Sequence, residues 1–181
     1  MFKKFEAKES IVGTNQIKNS VQRSIRTKLI DTYPNIEEYI NDILPKKVNL
    51  KVVKCQDHIE LISTDDEILF FKKRDGPFYP TLRLLHMYPN MLPKVQVDKG
   101  AIKFVLSGAH IMCPGLTSPG ADLPEECLPT DTPVSVHAEG KINALAIGHM
   151  KMSSDDIKSI NKGVGIDNVH YLNDGLWRID L

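Results

Sequence analysis

Little in this sequence offers a handle for catalysis or for a membrane. Its three cysteines, Cys55, Cys113 and Cys127, are scattered without a Cys-x-x-Cys pair. Neither a zinc site nor a disulfide framework follows, and a reducing compartment suits such usage. No apolar run reaches membrane-spanning length, and no hydrophobic segment follows the basic N-terminus, so the pattern is that of a soluble, unprocessed protein. Internal repeats and low-complexity tracts are absent as well. Net charge is zero, from 23 basic and 23 acidic residues. Bulk charge therefore cannot drive binding to a polyanion, and any such contact must rest on a placed patch.

The composition itself is ordinary. Of 181 residues, 41% are hydrophobic and 25% charged, enough for one large or two small domains with a true core. Charge is unevenly divided, with 15 basic against 12 acidic residues in 1–93 and 8 against 11 in 94–181. The punctuation Pro89 to Pro93 marks the division between a domain 1–93 and a domain 94–181.

Periodicity sets the elements. Phe2-Lys3-Lys4-Phe5 suits an edge strand or an ordered arm. Asn19-Ser20 is placed to cap a helix from Val21 to Thr32, and Ile36 to Leu44 reads as a second helix ended by Pro45. Leu50 to Val53, His58 to Ser63 and Glu67 to Lys72 form a strand meander that turns at Asp65-Asp66. A helix from Thr81 to His86 follows. Beyond the boundary, Val134 to Ala138 and Ala144 to Met150 read as strands, and Ser153 to Asp156 opens a short helix through Ile160. Val169 to Leu172 and Leu176 to Ile179 pair around Asn173-Asp174-Gly175. The proline-rich stretch Leu116 to Pro133 is the most irregular.

Enzyme signatures are weak throughout. His58 with Glu60, or His137 with Glu139, would share a strand face, yet no third metal ligand follows at a useful spacing. Gly163-Val164-Gly165 lacks the third glycine and the strand-to-helix setting of a dinucleotide loop. No constellation brings nucleophile, base and orienting group together. The catalytic, metal and cofactor assignments are therefore empty.

The most informative stretch is Val97 to Gly115. A short amphipathic helix after Asp98 runs to Leu106, then Ser107-Gly108-Ala109-His110 leads into an apolar strand stopped at Pro114-Gly115. At Gly108 no β-carbon blocks a close-approaching ligand, although the same glycine can simply end a helix in a left-handed conformation. With Gly163 to Trp177, this block resembles a PUA domain, a small RNA-binding β-barrel. Three runs extend the likeness across the chain: Leu69-Phe70-Phe71, Gly76-Pro77-Phe78-Tyr79-Pro80-Thr81-Leu82, and Gln96 to Ala109. With Ile111 to Gly120 they are similar to the malignant T-cell amplified sequence family. The loop Asp122 to Asp131 departs from it, being more acidic and slightly longer.

That resemblance implies an α+β chain, an N-terminal α/β pre-PUA domain followed by a C-terminal PUA β-barrel. It also implies a cytoplasmic, non-catalytic factor in translation re-initiation and ribosome recycling. Such a factor forms a heterodimer with density-regulated protein and docks on the small ribosomal subunit, with tRNA a further candidate ligand and neither DNA nor membrane a partner. Carried onto this chain, the RNA surface comprises Lys99, Lys103, Gly108, Ala109 and His110. Phe78, Tyr79, Leu82 and Phe104 serve either as core or as anchors for the protein partner. The clusters Lys3-Lys4, Lys46-Lys47 and Lys72-Lys73-Arg74 either track rRNA phosphates together or are separately solvated. Ser118-Pro119 has the local form a proline-directed kinase accepts, or is an ordinary turn. The other functional class is an RNA-modifying enzyme, or its accessory subunit, presenting tRNA through the same barrel. A scaffold that has lost RNA binding is the third.

Overall fold

In a computed structural model of the chain, which describes residues 1–65 and 67–179, the strand meander forms the centre of the first unit. The elements are α1 (Ala7–Ser10), β1 (Ile11–Gln16), α2 (Asn19–Thr32), a 3₁₀ turn at Pro34–Ile36 and α3 (Ile40–Ile43). Strands β2 (Lys51–Cys55), β3 (Ile59–Ser63), β4 (Ile68–Lys73) and β5 (Tyr79–Pro80) follow, then α4 (Leu82–Met87). All five strands pair antiparallel in chain order. Strands β3 and β4 are strongly apolar, and Leu61, Ile62, Phe70 and Phe71 are fully buried. Helix α2 packs inward with Ile25 and Leu29. Each such side chain contributes about 1.5–3 kcal/mol on burial.

Two local expectations are corrected, and one strand appears that was not expected. Helix α2 begins at Asn19, so Asn19 and Ser20 lie inside it; its N-cap is Lys18, and no side chain caps it. The segment 36–44 is not one helix. Pro34 opens a 3₁₀ turn over Pro34–Ile36, Tyr39 serves as the N-cap of α3 at φ −108° and ψ −5°, and only Ile40–Ile43 is α-helical. Burying Ile36, Ile40, Ile43 and Leu44 decides this path against local propensity. The polar strand β1 had no sequence signal, because its burial does not alternate cleanly and it lies at the sheet edge. Of the turn Asp65-Asp66, Asp66 lies outside the described residues, and Asp65 pairs with Lys51 at 2.6 Å.

The second unit contains β6 (Lys94–Val97), α5 (Lys99–Leu106), β7 (Ile111–Met112), α6 (Pro114–Thr117), β8 (Pro133–Ala138), β9 (Ala146–Met150), α7 (Ser154–Ile160) and β10 (Val164–Tyr171). Its sheet runs β6-β8-β9-β10-β7, parallel only between β6 and β8, and curls into a half-barrel. Val97, Cys113, Val134, Val136, Ala146, Met150 and Ile166 fill the core. Helix α7 is capped as its sequence implies, Ser153 accepting the Asp156 amide at 3.1 Å.

Two compact units result, Phe5–Met91 with Ile179, and Leu92–Arg178 with Met1–Lys4. The first four residues, grouped with the N-terminal half by a division at residue 93, pack with the second. Phe2 is fully buried, meets the His170 ring edge-on at 5.8 Å, and its carbonyl accepts the Gly175 amide at 3.0 Å. Beneath it, buried His170 and Asp174 pair at 2.7 Å. The same Asp174 carboxylate accepts from the amides of Tyr171 and Trp177. That bonding winds residues 172–178 into turns, which is why the expected strand Leu176 to Ile179 does not form.

Candidate nucleic-acid interface

Both ends of α5 are fixed by residues chosen for the purpose. Asp98 accepts the Ala101 amide at 3.0 Å as N-cap. At the other end the Gly108 amide bonds the Val105 carbonyl and the Ala109 amide bonds the Phe104 carbonyl, each at 3.0 Å. This is the Schellman ending, and it requires the left-handed residue that Gly108 supplies at φ +88°. A side chain there would be crowded as well, since a β-carbon would lie 3.0 Å from the Tyr171 ring, which would have to give way. The expectation of bare main chain at Gly108 is corrected for its amide, which is spent on the helix end. Tyr171 of the same unit lies on the side where a β-carbon would stand, while Gly108 itself is half-buried.

The open surface lies one step away. Between α5 and the β7–α6 segment runs a groove of about 620 Å³. Gly100, Ala101 and Phe104 line it from the helix, with His110 and Met112 from the β7 side and Pro114 from α6. Small residues bring the two helices close. A β-carbon on Gly115 would sit 3.2 Å from that of Ala101. The Asp98 amide meanwhile donates to the Gly115 carbonyl at 3.1 Å. The groove is mainly apolar and its rim is wet: Phe104 is 56% exposed and Met112 49%.

His110 carries the polar function of the groove. Its Nδ1 accepts the Asn168 amide at 3.0 Å, whereas the Asp167 carboxylate stands farther off at 3.7 Å. An Nδ1 engaged as acceptor puts the ring proton on Nε2, which leaves an exposed N–H donor. Asn168 staples the helix end to β10, its side-chain amide donating to the carbonyls of Val105 and Ala109 at 3.0 and 3.1 Å. Its Oδ1 is buried and has no hydrogen-bond partner among the described residues. Sequence reading missed Asn168, Met112 and Pro114. For Met112 and Pro114 the apolar strand ending at proline was the available signal; for Asn168 there was none, because its partners lie about sixty positions away.

Of the residues assigned to RNA, Ala109 and His110 line the groove, while Lys99 and Lys103 are exposed on α5 outside its lining. The Lys103 ammonium sits 5.0 Å from the centroid of the Phe104 ring, close enough for a cation–π contact. Phe78, Tyr79 and Leu82 are corrected as partner anchors, because all three are buried. Tyr79 stacks on Phe71 at 5.4 Å, the Phe78 carbonyl accepts the Tyr33 hydroxyl, and Leu82 is fully enclosed. They are core of the first unit, and Phe104 alone of the four meets solvent. The basic clusters do not form one patch within a unit either: Lys3 and Lys4 belong to the second unit and the rest to the first, with Lys72 paired to Glu60 at 3.5 Å.

The histidine–carboxylate pairs do not assemble. His58 sits in a 3₁₀ turn at φ 60°, and buried His137 contacts Ser135 and the Ile142 carbonyl. Among the described residues no three His, Cys, Asp or Glu gather to hold a metal. Burial raises the Cys55 thiol to about 11 and pushes the Cys113 thiol upward, so both are poor nucleophiles.

Residues 5–89 match the Pre-PUA-like domain and residues 93–172 the PUA domain. Malignant T-cell-amplified sequence 1-A of Xenopus laevis is 60% identical over 99% of this chain and 98% of its own. The chain belongs to the malignant T-cell-amplified sequence family. Translation machinery-associated protein 20 of Eremothecium gossypii is 54% identical over 100% of this chain and 99% of that relative. Among solved structures, a hypothetical protein of Pyrococcus horikoshii aligns at TM-score 0.74 and 25% identity, covering 93% of this chain and 100% of that one. Membership gives the groove its setting: it lies on the PUA domain, an RNA-binding module, in a chain whose relatives are associated with translation. Neither named relative takes its name from a catalytic activity. Among the described residues no helix is long and apolar enough to cross a membrane.

Proposed function

We propose that this protein is a cytoplasmic, non-catalytic translation factor that holds unpaired RNA in the α5–β7–α6 groove while bound to the small ribosomal subunit. Density-regulated protein is its heterodimer partner, and re-initiation and ribosome recycling are the steps served. The observation carrying this reading is the groove itself: an apolar slot edged by an exposed aromatic and a histidine N–H donor. An unstacked base needs a face to stack on and a donor for its edge, and Phe104 and His110 supply the two. Duplex RNA has neither group available, so single strands and 3′ ends are the expected ligands, those of tRNA included.

Co-sedimentation with small ribosomal subunits across a salt series, with and without the partner, tests the assignment. Phe104→Ala is expected to weaken RNA binding by about 1–3 kcal/mol, the worth of one stacked base, with the melting temperature unchanged because the ring is exposed. Equal affinity in the variant would remove the groove from RNA recognition. Turnover of a modified tRNA base by the protein would favour the RNA-modification reading instead.

A further inference from the structure

The first unit carries a second cavity that this reading does not use. It measures about 350 Å³ and lies between the N-terminal half of α2 and the segment 44–48. Arg23, Arg26 and Lys46 line it together with Asn19 and Gln22, and among the described residues no carboxylate does. In a chain with equal numbers of acids and bases, three cations around one cavity without an acid is a local excess that the fold has left in place. Lys46 was visible in the sequence only as half of a lysine pair. The tertiary fold sets it beside two arginines twenty and more positions earlier.

The cavity is held by hydrogen bonds that leave its charge uncancelled. Arg26 donates to the Leu44 carbonyl at 2.7 Å and to the Asn41 side chain, so neutral acceptors fix its guanidinium. Gln22 reaches the Ile17 carbonyl at 3.2 Å. Arg23 and Lys46 are exposed and form no ion pair among the described residues. The first turn of α2 contains no acidic residue and its N-cap offers no side-chain acceptor, so the positive end of the helix adds to the same field.

We infer that this cavity is a phosphate site, filled by the RNA backbone, with Arg23 and Lys46 as its mobile cations and Arg26 as the fixed one. Arginine's planar fork matches a phosphate in two-point fashion, and lysine adds a point charge. The inference rests on the RNA reading above and extends it, since the groove would read a base while the cavity grips the backbone, a division general to nucleic-acid recognition.

The test uses the full-length protein and a fluorescein-labelled single-stranded RNA, its Kd measured against potassium chloride concentration. Arg23→Ala/Lys46→Ala is expected to flatten the salt dependence by about 0.7 per lost contact, and to weaken binding about tenfold at low salt for the pair, with melting unchanged. Arg23→Lys should retain the slope. Lys28→Ala/Lys54→Ala, which removes the same two charges from exposed positions outside the cavity, should leave most of it. An unchanged slope in the Arg23/Lys46 variant, or an equal loss in the Lys28/Lys54 variant, would overturn the inference. A titration with inorganic phosphate, followed by amide chemical shifts, supplies a second readout that needs no RNA. Shifts confined to residues 19–26 and 44–48 are expected, and their absence would sink the site. A phosphate response without any change in RNA slope would overturn RNA as the occupant. Wild-type protein that binds no RNA would instead sink the functional reading, so the two failures are told apart.

Discussion

Helix α5 has eight residues and helix α2 fourteen, yet the shorter one is the better specified. α5 has a carboxylate cap at Asp98 and a glycine-based ending at Gly108. α2 has neither a capping side chain at its start nor a glycine at its end, and stops at Tyr33. The short helix cannot sustain itself by length, since fewer than about 12–15 residues are marginal alone, so its ends must be written in. The long one is held by Ile25 and Leu29 in the core. Their cavities differ in the same spirit: α5 borders an apolar groove of about 620 Å³ and α2 a cationic one of about 350 Å³.

The sharpest way to break the contrast is Gly108→Ala. Left-handed backbone costs a residue with a β-carbon about 1–2 kcal/mol, and crowding against Tyr171 adds a term of similar size. A loss of about 2–4 kcal/mol is expected in denaturant unfolding followed by signals of the second unit, and a loss under 1 kcal/mol would show that the helix end tolerates change. Next in size, Asp98→Ala should destabilise by about 1 kcal/mol while Lys18→Asp, which supplies α2 with the cap it lacks, should stabilise by about 0.5–1 kcal/mol. Thermal melts of both variants read the sign, and equal responses would erase the distinction. The smallest effect concerns Ser118, which lines the groove and donates to the Pro114 carbonyl. Ser118→Glu is expected to weaken RNA binding a few-fold through repulsion of phosphate, with Ser118→Ala unchanged. Unaltered affinity in the glutamate variant would put Ser118 outside the path of the RNA.

Legibility followed the range of the interactions. The helix start after Asp98, the stop at Gly108, the cap at Ser153 and the apolar strands β3 and β4 are local, and sequence patterning reached them. What it missed depended on distance along the chain. The helix expected from Ile36 to Leu44 broke because its four apolar residues had to reach one core, and Arg26 then took the Leu44 carbonyl that helix continuation would use. The strand expected after Asn173-Asp174-Gly175 failed because buried Asp174 has partners on both sides of the turn. Phe78, Tyr79 and Leu82 carry the same apolar signal whether they face a core or a partner, and only burial separates the two.

By itself the sequence determined the family, the α+β class, the extent of α5 and the part of the chain that carries the candidate interface. Those follow from residue identity and short spacing, which need no knowledge of what lies across the fold. Tertiary structure decided that Tyr171 packs beside Gly108, that the accessible slot opens beside Phe104 and His110, and that Lys46 joins two arginines. Each of those depends on which distant side chain arrives at a given point in space, and hydrophobic burial, being non-directional, fixes that only when the whole unit packs.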